Sequence, residues 1–67
     1  MNKFAERLIE VLKIKGLSQN KFAKVVGVNQ TTMNKWCLGK REPSFDMLMV
    51  ICRELEESAD YLIGLED

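Results

Sequence analysis

Only Gly27 and Val28 lie between the apolar run that ends at Val26 and Asn29, a residue suited to capping a helix. Apolar residues recur at helical spacing on both sides. Phe22, Ala23, Val25 and Val26 precede the gap; Met33, Trp36 and Cys37 follow it at i, i+3 and i+4. Two helices joined by so short a turn, with Gly at the turn, cross at a steep angle. Ala23 then has a physical reason to be small: it lies where the later helix crosses the earlier one, and a larger side chain would push them apart.

The same punctuation predicts three more helices. Asn2 caps a first over Phe4, Leu8, Val11 and Leu12, with Gly16 leaving it in a left-handed conformation. Ser18 caps the second, which stops at Gly27; Asn29 caps the third, which Gly39 ends. Residues 40–43 form a loop, because Pro43 disfavours helix at Glu42. Ser44 caps a fourth helix with Phe45, Leu48, Cys52 and Leu55 on its inward face. Ser58 caps a short fifth through Tyr61, Leu62 and Ile63, with Gly64 near its end. Sustained period-two alternation is missing, so the expected fold is all-α, with five helices in a single domain over residues 1–67.

A chain of 67 residues buries only a modest core, and at 46% hydrophobic it is too apolar for disorder. No apolar run approaches the roughly 20 residues that span a bilayer, and no signal peptide is visible. The expectation is a soluble, cytoplasmic protein with no membrane partner. Cys37 and Cys52 sit among apolar neighbours and read as reduced core thiols. With no His and no CxxC there is no expected metal site or cofactor. The chain also lacks a glycine-rich phosphate loop and a nucleophile–base pair, which argues against an enzyme.

The net charge of zero hides a strong polarity. Residues 13–41 carry Lys13, Lys15, Lys21, Lys24, Lys35, Lys40 and Arg41 with no acid, a net +7, and residues 42–67 carry a net −7. A basic surface attracts polyanions whatever the total charge.

With Met33, Trp36 and Cys37 turned inward, Thr31, Asn34 and Lys35 turn outward, and Gln30 lies at the exposed start of the helix. Gln and Asn carry paired donors and acceptors that suit the edge of adenine; Lys can donate to guanine; a Thr methyl can meet the thymine methyl. Gln19 opens the second helix, where free backbone N–H groups favour a phosphate, and Lys40 and Arg41 follow the third and can hold the backbone on its other side. The plain alternative is a solvated polar face; the tight turn, small Ala23, amide-rich face and acid-free charge together make it the weaker reading.

The stretch LSQNKFAKVVGVNQTTMNKWCLGKREPS resembles the helix-turn-helix of the phage repressor and Cro family, also called the XRE family. Gln19, Ala23, Gly27, Val28, Met33 and Trp36 fall on its recurring positions, and SADYLIGLED resembles its usual ending. The resemblance implies a five-helix lambda-repressor-like domain with helix-turn-helix at helices 2 and 3. It also implies that helix 3, about residues 29–38, enters the major groove of double-stranded DNA, usually as a homodimer on a palindromic operator. Carried over, Gln19 binds phosphate, Gln30, Thr31 and Lys35 read bases, and Asn29, Thr32 and Lys40 support backbone contacts. The ammonium of Lys35 could reach either guanine or phosphate.

Some positions depart from the family. Members often have Arg where Leu12 stands and Glu where Cys37 stands, forming a buried ion pair. Here both are apolar, and they read as one joint substitution: losing one partner strands a charge, whereas losing both can be neutral or stabilising. Members also often carry Asn at Leu38 and Gly at Glu56. Met47 and Val50 occupy positions usually polar; with Leu62 and Ile63 they are the candidate dimer surface. The leading expectation is a sequence-specific transcriptional repressor, regulated by concentration, dimerisation or a partner, with no small-molecule effector evident. The alternative is an interaction module of the same fold, such as an antitoxin or accessory regulator subunit, working through its acidic half.

Overall fold

The computed structural model describes residues 2–67. Its five helices are α1 (Lys3–Lys15), α2 (Gln19–Val26), α3 (Gln30–Cys37), α4 (Phe45–Leu55) and α5 (Ala59–Ile63). Each begins at the residue whose side chain can cap it. Asn2 Oδ1 accepts from the Ala5 N–H at 2.8 Å and Asn29 Oδ1 from the Thr32 N–H at 2.7 Å. The hydroxyls of Ser18, Ser44 and Ser58 accept from Lys21, Met47 and Tyr61 at 3.1, 3.2 and 3.0 Å. Each such cap contributes about 1 kcal/mol, a large increment for helices as short as these.

α1 packs on α3 and α5, α2 packs on α3 and α4, and α4 packs on α5. Phe4, Leu8, Val11 and Leu12 from α1 meet Phe22, Ala23 and Val26, Met33, Trp36 and Cys37, Ile51 and Leu55, and Leu62 in one buried cluster. Among the described residues no polar or charged side chain is buried. Burial pushes the Cys37 and Cys52 thiols up, which keeps both protonated near neutrality. Ala23 is buried, and its carbonyl accepts both the Gly27 and the Val28 N–H, at 2.9 and 3.0 Å, closing the turn.

The inward faces of α2 and α4 differ from expectation. Val25 is half exposed, because the stripe of α2 runs through Phe22, Ala23 and Val26 and Val25 lies off it. In α4 the deeply buried residues are Ile51 and Leu55; Leu48 and Cys52 are only partly buried. Phe45 is 88% exposed. Six residues before Ile51, it stands about 120° around the helix from the core line.

α1 also secures the end of the chain. The Arg7 guanidinium donates to the Tyr61 carbonyl at 2.6 Å and to the Glu66 carbonyl, and it lies 4.4 Å from the centre of the Tyr61 ring. The Ser58 hydroxyl donates to Glu66 Oε1 at 2.6 Å. None of the described helices is long and apolar enough to cross a membrane.

Candidate nucleic-acid interface

Two short helices and the turn between them set the candidate site. Gly27 adopts φ 79°, a left-handed conformation that suits Gly, and so lets α2 end and Asn29 cap α3 two residues later. Burial of Met33, Trp36 and Cys37 fixes the rotation of α3. Gln30, Thr31, Asn34 and Lys35 are consequently all exposed, and Thr32 is half buried. The four candidate base readers thus share the solvent side of one eight-residue helix.

The candidate phosphate contacts lie at its margins. Gln19 is exposed at the start of α2. The Ser18 hydroxyl and carbonyl take up the Lys21 and Phe22 N–H groups, and among the described residues the Gln19 and Asn20 N–H groups have no partner. Asn29 spends its oxygen on the Thr32 N–H, which leaves the amide NH₂ free to donate outward. At the far end the Lys40 N–H donates to the Lys35 carbonyl at 2.9 Å while Gly39 takes φ 74°, a Schellman-type stop. That stop brings Lys40 and Arg41, both exposed, immediately after the polar face.

A reading of the sequence alone misses Asn20 and places Lys24 only in the basic segment. With Ala23, Val28, Asn29 and Gln30 they line a groove between α2 and the start of α3. Their spacing of four on α2 was the available signal. Lys13, Lys15, Lys21, Lys24, Lys35, Lys40 and Arg41 are all exposed, and among the described residues none forms an ion pair with an acid of the chain. Their field is therefore not cancelled locally, and a polyanion approaching the α2–α3 face meets uncompensated positive charge.

The four residues expected at a dimer surface differ in their exposure. Leu62 is 0% exposed, enclosed by its own chain, and has no surface to offer a second copy. Met47 and Val50 are partly buried against the core, which accounts for their apolar character. Ile63 is 45% exposed.

The model of the family described as helix-turn-helix matches residues 8–62. The uncharacterized HTH-type transcriptional regulator YqaE of Bacillus subtilis (strain 168) is 35% identical over 60 residues, which are 90% of this chain and 52% of that protein. The uncharacterized HTH-type transcriptional regulator YobD of the same organism is 25% identical over 64 residues, 96% of this chain and 57% of that protein. The chain thus spans little more than half the length of these relatives. No solved structure matches it. The match from the middle of α1 to α5 includes both helices and the turn that carry the polar face, and the chain belongs to the phage repressor and Cro-like, or XRE, family of helix-turn-helix domains, which bind DNA and are not enzymes.

Proposed function

We propose that residues 1–67 are the DNA-binding domain of a transcriptional repressor, which inserts α3 into the major groove of a palindromic operator as a homodimer. The observation that carries this reading is the exposed Gln30–Lys35 face within a segment, residues 13–41, that contains no acid. Gln30, Thr31, Asn34 and Lys35 read base edges; Gln19, Asn29, Thr32, Lys40 and Arg41 hold the sugar–phosphate backbone on either side. Size supports the dimer. The longest dimension of the molecule is 28 Å. One copy cannot reach a second major-groove site about 34 Å away, and a two-fold pair can. Repression needs no further surface, since a bound operator excludes other proteins by volume alone. The site of action is the cytoplasm, where a repressor meets its DNA.

The acidic residues of α4 and α5 favour a second reading, a protein-interaction module such as an antitoxin or accessory subunit. Binding to random duplex DNA at low salt separates the two. A major-groove reader binds it weakly and loses affinity steeply as salt rises. Selection from a random DNA pool then yields a two-fold symmetric sequence. A chain that ignores duplex DNA at low salt is the interaction module.

A further inference from the structure

The largest side chain of α4 lies outside the core. Phe45 is 88% exposed and Met49, one turn on, is 55% exposed. Phe45 borders two apolar hollows. Leu48, Met49 and Cys52 line one, where α5 begins; Phe4, Pro43, Leu48 and Ile63 line the other. Scattered exposed apolar residues need no explanation, but a continuous apolar face flanked by charge marks a contact surface.

The charges beside this face identify what covers it. Asp46 and Arg53 are seven residues apart on α4, two turns, so they lie on the same side of the helix and bracket Met49. Both are exposed, and among the described residues neither has an ion-pair partner within the chain. The strip reads acid, methionine, base. Turned end for end about a two-fold axis near Met49, it meets itself with each Asp46 opposite the Arg53 of the second copy, as an isologous interface requires. The phenyl ring of Phe45 then crosses toward the hollow beside Cys52. An unrelated partner would have no reason to find this self-complementary order.

We infer that the Phe45–Met49–Cys52 face of α4 docks a second copy of this chain, the two α4 helices packing antiparallel. The inference rests on the homodimer in the reading above and gives it a location, replacing Met47, Val50 and Leu62 and keeping Ile63 at the edge. It also fits the DNA face, since Phe45 follows closely on Lys40 and Arg41.

Sedimentation of the purified chain, run from micromolar to hundreds of micromolar, tests the surface. The parent should dimerise, and Phe45→Glu should weaken the dimer by more than about tenfold, with an unchanged circular dichroism spectrum because the ring is not in the core. Arg53→Asp and Asp46→Arg should each weaken it several-fold, and the double variant should regain most of the loss. A parent that stays monomeric throughout, or a Phe45→Glu variant that associates as the parent does, overturns the surface. Purely additive losses in the charge pair overturn the antiparallel arrangement. Titration of Phe45→Glu with random duplex at low salt separates this from the DNA-binding reading. Retained weak, salt-sensitive binding by a monomer supports both. A parent that dimerises through Phe45 yet binds no DNA keeps the interface and removes the repressor.

Discussion

α3 and α4 follow one another in the chain but divide their surfaces differently. α3 turns Met33, Trp36 and Cys37 into the core and leaves Gln30, Thr31, Asn34 and Lys35 in water: one apolar stripe and one polar face. α4 buries Ile51 and Leu55, half buries Met47, Leu48, Val50 and Cys52 on both flanks, and still leaves Phe45 and Met49 in water. Its apolar surface extends farther around the helix than one chain covers. The two helices therefore suit different partners. Donors and acceptors on a basic background can exchange water for the polar edges of a nucleic acid; an apolar flank gains only by removing water against another apolar surface.

Substitutions beneath the two helices should have the largest effects. Leu12 and Cys37 are both buried, on helices that pack together. Leu12→Arg alone should bury an unpaired charge and cost about 3 kcal/mol or more. Adding Cys37→Glu should restore much of that loss in denaturant melts. Simple additivity would mean that the two sites do not face one another. Within α4, Ile51→Ala should cost about 2–5 kcal/mol. Phe45→Ala, measured at a concentration too low for association, should change stability by less than about 0.5 kcal/mol. Similar losses at both positions would abolish the distinction between the core line of α4 and its flank.

That pair of positions also explains where the sequence was legible. α3 has three apolar residues at a single helical spacing, so only one rotation buries them, and its exposed face followed directly. α4 has eight apolar residues among eleven, and several stripes fit that pattern equally well. Choosing Phe45 over Ile51 was an error of phase that local spacing could not correct, because the packing of α4 on α2 and α5 sets the phase. The caps were readable, since each depends on a side chain reaching an N–H three residues away. The anchoring of the chain end by Arg7 was not, since its partners lie 54 and 59 residues distant. In the candidate site the exposure of Gln30, Thr31, Asn34 and Lys35 was legible from the burial of their neighbours. The place of Asn20 and Lys24 in the site was not legible, because the groove they line exists only once two helices meet.

Effects of intermediate size should separate reading from positioning on the polar side. Gln30→Ala should cost about 1–3 kcal/mol on the preferred operator, with little loss on random DNA. Lys40→Ala should weaken both by similar factors. It should also flatten the plot of log affinity against log salt by about one unit for each phosphate that the protein no longer neutralises, about two units for a symmetric dimer. Lys35→Ala should follow one pattern or the other and thereby assign its ammonium to base or phosphate. If Gln30→Ala leaves both affinity and sequence preference intact, α3 is a solvated face and its contrast with α4 loses its functional meaning.

The smallest effects lie where helices end. α4 stops at Glu56, the only described residue other than Gly with positive φ, at φ 56° and ψ 42°. Its N–H nevertheless makes the cap, donating to the Arg53 and Cys52 carbonyls. A side chain in the left-handed region costs about 1–2 kcal/mol, and Gly there gives back about half through its freer unfolded chain. Glu56→Gly should therefore stabilise the domain by about 0.5–1 kcal/mol and raise its melting temperature by a few degrees. Gly64 ends α5 at φ 93°, and a methyl group there would stand 2.8 Å from Cβ and Cγ of Lys3, so Gly64→Ala should lower the melting temperature. The two substitutions change the same kind of position in opposite senses. Thermal melts of both at one concentration would check the signs, and a loss of stability in Glu56→Gly would show that its carboxylate contributes more to the end of α4 than its backbone conformation costs.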